Sequence, residues 1–262
     1  MREIKMEPIR SVERVISILN CFGFERPELY IEDIVKETGL PKPTVYRMLW
    51  TLEKNGLIHY DSKENKYRLG HKFLEYGGIV MHKLDILKES EGILRDLHKR
   101  SGHTVILAVR RQNRMQYLLT LESDDDFQPR SYVGRSRVLH YGALGIVILS
   151  HMEQDEVEAY LQENPLTKWT PYTVVDRDLF VQRLAQVKSQ GYYVDVDETF
   201  VGFSAISAPL FGSEGKVLGA IGVAGASHKM EGEYRDKLVA WTREAGMSIS
   251  QRLGYFQHVN NK

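Results

Sequence analysis

Apolar residues follow two rhythms along this chain, and the change from one to the other near residue 80 divides it. Before that point the spacing is helical; after it, alternating runs enter. Ser11 offers an N-cap for a first helix through Phe22, with Val12, Val15, Ile16 and Leu19 on one face, and Gly23 ends it. Residues 24–29 read as a loop. Ile31, Ile34 and Val35 make the apolar face of a short second helix closed by Gly39. Pro43 suits the first turn of a third helix, where a missing N–H costs nothing. Val45, Leu49 and Leu52 recur on its inner face, and Asn55-Gly56 stops it. Two short strands, 57–60 and 66–69, then flank a polar turn.

Helix, glycine turn, helix and hairpin form the order of a winged helix-turn-helix, expected over residues 1–70. Residues 71–81 read as a linker helix within a 71–83 junction, with Phe73, Leu74 and Tyr76 partly buried and Gly77-Gly78 as a weak point. From residue 84 to 262 the pattern is α+β. A helix over 84–100 carries Leu87, Leu94 and Leu97. Strands at 103–109 and 115–122 flank a turn, and helices follow at 141–150 and 153–163. A further helix runs from an Asp176 or Asp178 cap to Gln190. Strands at 192–196, 205–211 and 217–225 come largely as antiparallel hairpins. The last helix, 231–253, has Tyr234, Leu238, Trp241, Ala245, Ile249 and Leu253 along one stripe, read as core or as an oligomer face.

Charge sharpens this picture. Lys+Arg and Asp+Glu are both 35, so a general polyanion binder is not indicated. Residues 41–72 nevertheless hold seven bases and three acids, so the local surplus of +4 coincides with the expected reading helix and wing. The single cysteine, Cys21, excludes an intrachain disulfide and reads as a buried helix residue in a reducing compartment. No signal-like apolar run opens the chain, and none approaches the roughly 18 residues of a membrane span. The expected location is cytoplasmic, with no membrane partner.

The third helix would lie in a major groove about 12 Å wide. Arg47 is the expected base reader, because a guanidinium pairs bidentately with guanine. Thr44, Tyr46 and Thr51 share the outer faces, and Lys42 adds charge at the helix start. Lys63, Lys66 and Arg68 on the wing are expected to touch phosphates, which position without specifying sequence.

The run Ser11-Val-Glu-Arg14, the segment Gly39-Leu-Pro-Lys-Pro-Thr44-Val-Tyr-Arg-Met-Leu49 and Gly56-Leu-Ile resemble the DNA-binding domain of the IclR family of bacterial transcription regulators. The second half agrees. Val138-Leu-His140-Tyr-Gly-Ala-Leu-Gly145, then Gly191-Tyr-Tyr-Val-Asp195-Val-Asp197-Glu198, Gly202, Ala208-Pro209 and residues 219–225 resemble that family's effector domain. The resemblance spans about residues 10 to 255. It implies a GAF-like domain that binds a small-molecule effector, and a homodimer or homotetramer on a double-stranded DNA operator. Carried over, the pocket residues are Ala143, Leu144, Asp195, Phe203, Ala205, Gly222 and Ala224, with His140 at the rim. Gly222 and Ala224 stand where family members can carry serine. Fewer hydroxyl donors and more room are therefore expected, and with them a bulkier or less polar effector.

Other chemistry is weakly indicated. Ser204, Ser207 and His140 could be imagined as a catalytic set, but no nucleophile-elbow spacing is present. The glycines of 219–225 lie inside a strand and lack nucleotide-binding spacing. His140, Asp195, Asp197 and Glu198 contain no close pair of metal-ligating histidines, and Asp124-Asp125-Asp126 lacks the alternation of a calcium loop. Asp195 reads equally as a ligand contact or a turn cap. The expectation is a DNA-binding, effector-controlled regulator with no cofactor, no metal and no enzymatic activity. An enzyme or a protein-interaction module carrying the winged domain is the alternative.

Overall fold

A computed structural model describes residues 7–82, 85–123 and 132–255. The chain forms two compact units that divide between residues 83 and 84. Of the acidic stretch 123–130, all but Ser123 lies outside the described residues, and the aspartate triplet with it.

In the first unit, helices α1 (Arg10–Leu19), α2 (Ile31–Thr38) and α3 (Lys42–Lys54) enclose a small core. Ile18, Ile34, Val45, Leu49 and Ile58 sit almost wholly inside it. Tyr30 precedes α2 and Asp33 closes back on its N–H at 3.1 Å, while Gly39 ends the helix in a left-handed conformation. Pro43 lies in the first turn of α3 as expected. The wing is wider than the sequence indicates. Strands β2 (Ile58–Asp61) and β3 (Lys66–Leu69) are joined by a third, β1 (Glu28–Leu29), from the segment read as loop, in the order β1-β3-β2. Leu29, at 2% exposure, anchors that strand to the core.

Two other local readings change. Helix α1 starts at Arg10 after Ile9, so Ser11 lies inside the helix and caps nothing. The helix buries the row through Ile18, leaving Ile9, Val12 and Ile16 half or more exposed. Cys21 is half-buried just past the helix, its thiol donating to Ser17 O at 3.3 Å. Helix α4 (Lys72–His82) runs unbroken through Gly77-Gly78, with Leu74, Tyr76 and Ile79 exposed and Phe73 alone of the three named aromatic and leucine positions half-buried.

The second unit is a six-stranded antiparallel sheet between two helical layers. Its strands are β4 (Thr104–Arg111), β5 (Arg114–Leu121), β6 (Ser136–Val138), β7 (Tyr193–Val196), β8 (Phe203–Phe211) and β9 (Val217–Ala226), in the order β6-β5-β4-β9-β8-β7. Period-two alternation sorts each strand between the layers. Val105, Leu107 and Val109 face α5 (Asp85–Ser101) and α9 (Gly232–Arg252), where Leu94, Leu238 and Ile249 complete one core. Ile106 and Ala108 face the other way, toward α6 (Gly142–Ser150), α7 (Gln154–Glu163) and α8 (Arg177–Gln190). The last helix is thus a core helix along Leu238, Ala245 and Ile249. Asp176, not Asp178, caps α8, its carboxylate accepting from Leu179 N at 2.9 Å. Strand β6 is an edge element the sequence did not announce, because three residues are too few to show a period.

Candidate functional site

The outward face of α3 is built by its inward one. With Val45 and Leu49 at 0% exposure and Leu52 at 6%, helical geometry turns Tyr46, Arg47, Trp50, Thr51 and Lys54 to solvent. Arg47 stands exposed there, as does Lys42 at the helix start, paired with Glu32 at 2.7 Å. Thr44 is half-buried. Thr51 is exposed, but its hydroxyl donates to Arg47 O at 2.8 Å. On the wing, Lys63 and Arg68 are exposed. Lys66 is half-buried, lies 3.6 Å from Glu64 and 4.0 Å from Glu28, and sits over the Tyr30 ring at 5.5 Å. Sequence reading passed over Trp50, which is 51% exposed one turn beyond Tyr46 and carries Lys54 Nζ 4.1 Å from its ring centre. Its i, i+4 spacing from Tyr46 was the available signal.

The second unit contains a cavity of about 50 Å³. Six of the eight carried-over residues line it: Ala143 and Leu144 from α6, Asp195 from β7, Phe203 and Ala205 from β8, and Ala224 from β9. Strand register brings these together, since Asp195 pairs with Ala205 and Ala205 with Ala224. Helix α6 begins directly over Asp195. A Cβ on Gly142 would lie 3.2 Å from the Thr199 hydroxyl and 3.8 Å from the Asp195 carboxylate, and φ there is +68°, so glycine suits both the space and the backbone.

Gly222 and His140 are not part of that wall. Gly222 is on the cavity side of β9, but the side chain of Leu144 fills the space over it. A Cβ there would meet Leu144 Cδ2 at 3.4 Å and Ile206 O at 2.8 Å. The glycine makes room for the helix, and the extra space expected there from a missing serine is taken up by Leu144. His140 points into the α-helical layer. The Tyr160 hydroxyl oxygen accepts from His140 N at 3.2 Å, and the His140 ring Nδ1 is 2.7 Å from the same hydroxyl, while the imidazole stacks on Trp169 with centroids 5.3 Å apart. Burial pushes its pKa down to about 4, so the ring is neutral at physiological pH.

Asp195 is 1% exposed. Glu198 N donates to its Oδ1 at 3.0 Å and the Thr199 hydroxyl to its Oδ2. The turn-cap reading holds, since the carboxylate closes its own turn, and the same side chain also lines the cavity. Burial raises its pKa to about 6, outweighing the opposing Thr199 bond. Sequence reading missed Arg137, Tyr141 and Thr199 in the wall, together with Ile106, Met115 and Tyr117. Ile106, Met115 and Tyr117 could have been found by extending the alternation of β4 and β5 to the face shared with Ala224. Arg137 lies one residue before the quoted 138–145 segment. Ser204, Ser207 and His140 do not converge. Ser204 donates to Ser227 and Ser207 to Ile221 O, and the His140 ring meets Tyr160. Among the described residues no group of three His, Cys, Asp or Glu side chains is placed to hold a metal, and no helix is long and apolar enough to cross a membrane.

Comparison with known proteins accounts for both units. Residues 11–62 match the IclR helix-turn-helix domain, and residues 78–251 match the C-terminal domain of the bacterial transcriptional regulator IclR. The HTH-type transcriptional regulator XynR of Escherichia coli is 32% identical over 254 residues, covering 95% of this chain and 99% of that one. The HTH-type transcriptional regulator KipR of Bacillus subtilis is 30% identical over 246 residues, covering 94% and 98%. The solved IclR transcriptional regulator of Alicyclobacillus acidocaldarius shares the fold with a TM-score of 0.83 at 24% identity, covering 94% and 99%. So does an IclR homolog from Microbacterium hydrocarbonoxydans, solved in complex with 4-hydroxybenzoate, with a TM-score of 0.81 at 23% identity, covering 93% and 98%. The exposed reading helix, the wing and the sheet-borne cavity therefore belong to a DNA-binding transcription regulator, and the chain is a member of the IclR family.

Proposed function

We propose that this regulator binds operator DNA through residues 1–70 and is switched by a small molecule held in the cavity of residues 84–262, with 71–83 as the connecting segment. The carrying observation is the cavity itself, walled by the start of α6 and the Asp195 turn. A cavity with a few convergent polar groups is the ordinary form of a small-ligand site. That the Microbacterium homolog was crystallised with 4-hydroxybenzoate supports the same reading. The small volume of this chain's own cavity supports a compact effector over the bulky one that the loss of serines suggested.

On DNA, Arg47 reads a base edge while Lys42, Thr44, Tyr46 and Thr51 flank it, and Lys63, Lys66 and Arg68 meet phosphates. A single winged domain spans few base pairs, so two or more copies act together on an inverted repeat. The exposed apolar rows on α1 (Ile9, Val12, Ile16) and α4 (Leu74, Tyr76, Ile79) support self-association. The effector acts by binding one arrangement of the assembly better than another. We place the protein in the cytoplasm and assign it no catalytic activity, consistent with the separated Ser204, Ser207 and His140. The test is a thermal-shift screen of metabolites on the full chain, followed by fluorescence anisotropy with operator DNA. A compound that raises the melting temperature and changes DNA affinity is expected. Compounds that bind yet leave DNA affinity untouched would refute effector control.

A further inference from the structure

Building on the effector reading, we infer that Arg137 is the anion-reading residue of the cavity and that the effector carries a carboxylate held by its guanidinium. Arg137 lies on the edge strand β6 and lines the cavity with Tyr141, Thr199 and Asp195. Its guanidinium carbon is 4.7 Å from the centre of the Tyr141 ring, so an aromatic face fixes its plane. Its Nε is buried and, among the described residues, has no hydrogen-bond partner. A buried donor on a charged group without an acceptor is costly, and such orphans mark places where a partner is supplied from outside the chain.

Asp195 does not fill that role. Its Oδ1 is committed to Glu198 N and its Oδ2 to Thr199, so the one acidic group in the wall is tied into its own turn. The cavity wall has a second source of positive potential. Gly142, Ala143 and Leu144 open α6 there, and no side chain caps that helix. Exposed amide hydrogens and the helix dipole at such an end favour an anion. A guanidinium and a helix start thus face the same small space, whose remaining wall is largely apolar.

A carboxylate fits better than a phosphate for two reasons. Its two oxygens match the planar fork of a guanidinium. It also brings a single negative charge, whereas a dianion would lie beside Asp195, whose pKa near 6 already reflects how poorly this pocket solvates negative charge. The hydroxyl of Thr199 and the phenol of Tyr141 remain at hand for a polar substituent. Nothing in residues 138–145 foretold this, because the arginine precedes that segment and sits on a strand too short to read.

The test uses the full chain and three matched probe sets: lactate, butyrate and benzoate; their neutral amides; and methylphosphonate. Binding is read by titration calorimetry and thermal shift, and DNA affinity is measured in the same mixtures. At least one carboxylate is expected to bind the unmodified protein, with its amide at least tenfold weaker. Arg137→Met should weaken that carboxylate at least tenfold and abolish the preference over the amide. Arg137→Lys keeps the charge without the fork, should fall between, and serves if the methionine variant does not fold. An amide that binds as well as its acid, a preference for methylphosphonate, a carboxylate indifferent to both Arg137 variants, or no binding by any probe overturns the inference. A neutral compound that binds and shifts DNA affinity in the Arg137 variants would leave effector control standing without it. A carboxylate that binds through Arg137 but never alters DNA affinity would uphold the inference and remove effector control.

Discussion

The two units place their polar chemistry on opposite sides of the surface. In the first, Arg47, Lys63 and Arg68 stand in water. Exposed charges of this kind keep their solvation until a partner arrives, and they act at a distance set by salt. In the second, Asp195 and His140 are almost fully buried, and each has a pKa moved toward its neutral form. The difference teaches what each surface can recognise. An exposed cationic face suits a large polyanion that need not be desolvated, whereas a buried polar group such as Asp195 in a cavity wall discriminates small molecules by leaving the wrong one unpaired.

The sharpest way to break the comparison is to damage the scaffold that presents the first face. Leu49 is fully buried behind Arg47. Leu49→Ala should cost about 2–5 kcal/mol through lost burial and a residual cavity. Hydrogen exchange on the full chain is expected to show faster exchange along Lys42–Lys54 with protection kept along Gly142–Ser150. Equal loss in both segments would show that the two faces do not have independent supports.

The buried pair gives the next effect, and its two members pull in opposite directions. Asp195 titrates near 6 when folded against an ordinary 3.8, so the native state holds this proton more tightly and stability falls as pH rises through that window. His140 titrates near 4 when folded against an ordinary 6.5, so the unfolded chain holds that proton more tightly and stability rises with pH from about 4 to 6.5. The contributions offset one another in the unmodified protein. Asp195→Asn removes one of them. Its unfolding free energy relative to the unmodified chain should climb by up to about 3 kcal/mol between pH 4 and 6. Urea unfolding across that range checks it, and parallel profiles would mean that Asp195 is better solvated than its burial implies.

Arg47→Ala should leave stability within about 0.5 kcal/mol, because the side chain is exposed, yet weaken specific DNA binding by about 1–3 kcal/mol and relax one base preference. Anisotropy with operator variants decides this. Intact affinity and preference would turn the reading helix away from the groove.

The first unit was the more legible because its signals are local. Gly39, Pro43 and Asn55-Gly56 punctuate α2 and α3, and the period of Val45, Leu49 and Leu52 determines which residues face out. What failed there was also local in scale: β1 has two residues, and α1 buries Ile18 rather than the Val12 and Ile16 row because packing against the other helices decides between adjacent faces. In the second unit the strands were readable by alternation, but the cavity depends on register between distant segments. Asp195, Ala205 and Ala224 could be carried over by resemblance. Gly222 could not be separated from them without knowing that Leu144 lies over it. His140 needed Tyr160, twenty residues on, to explain its direction. Arg137 needed both an edge strand and the Tyr141 ring.

The smallest effect distinguishes wing lysines that the sequence treats alike. Lys63 is exposed at the turn, whereas Lys66 is held between Glu28 and Glu64 over the Tyr30 ring. A phosphate contact must release counterions, so removing one lowers the slope of log affinity against log salt by about 0.9. Lys63→Ala should show nearly that change, uniformly across DNA sequences. Lys66→Ala should show a fraction of it, because two carboxylates already neutralise that ammonium and would have to be displaced before it could pair with DNA. Anisotropy titrations from about 50 to 200 mM salt resolve the two. A larger slope change for Lys66 would mean that its pairing with Glu28 and Glu64 gives way to phosphate on the duplex, and that the static wing understates its cationic face.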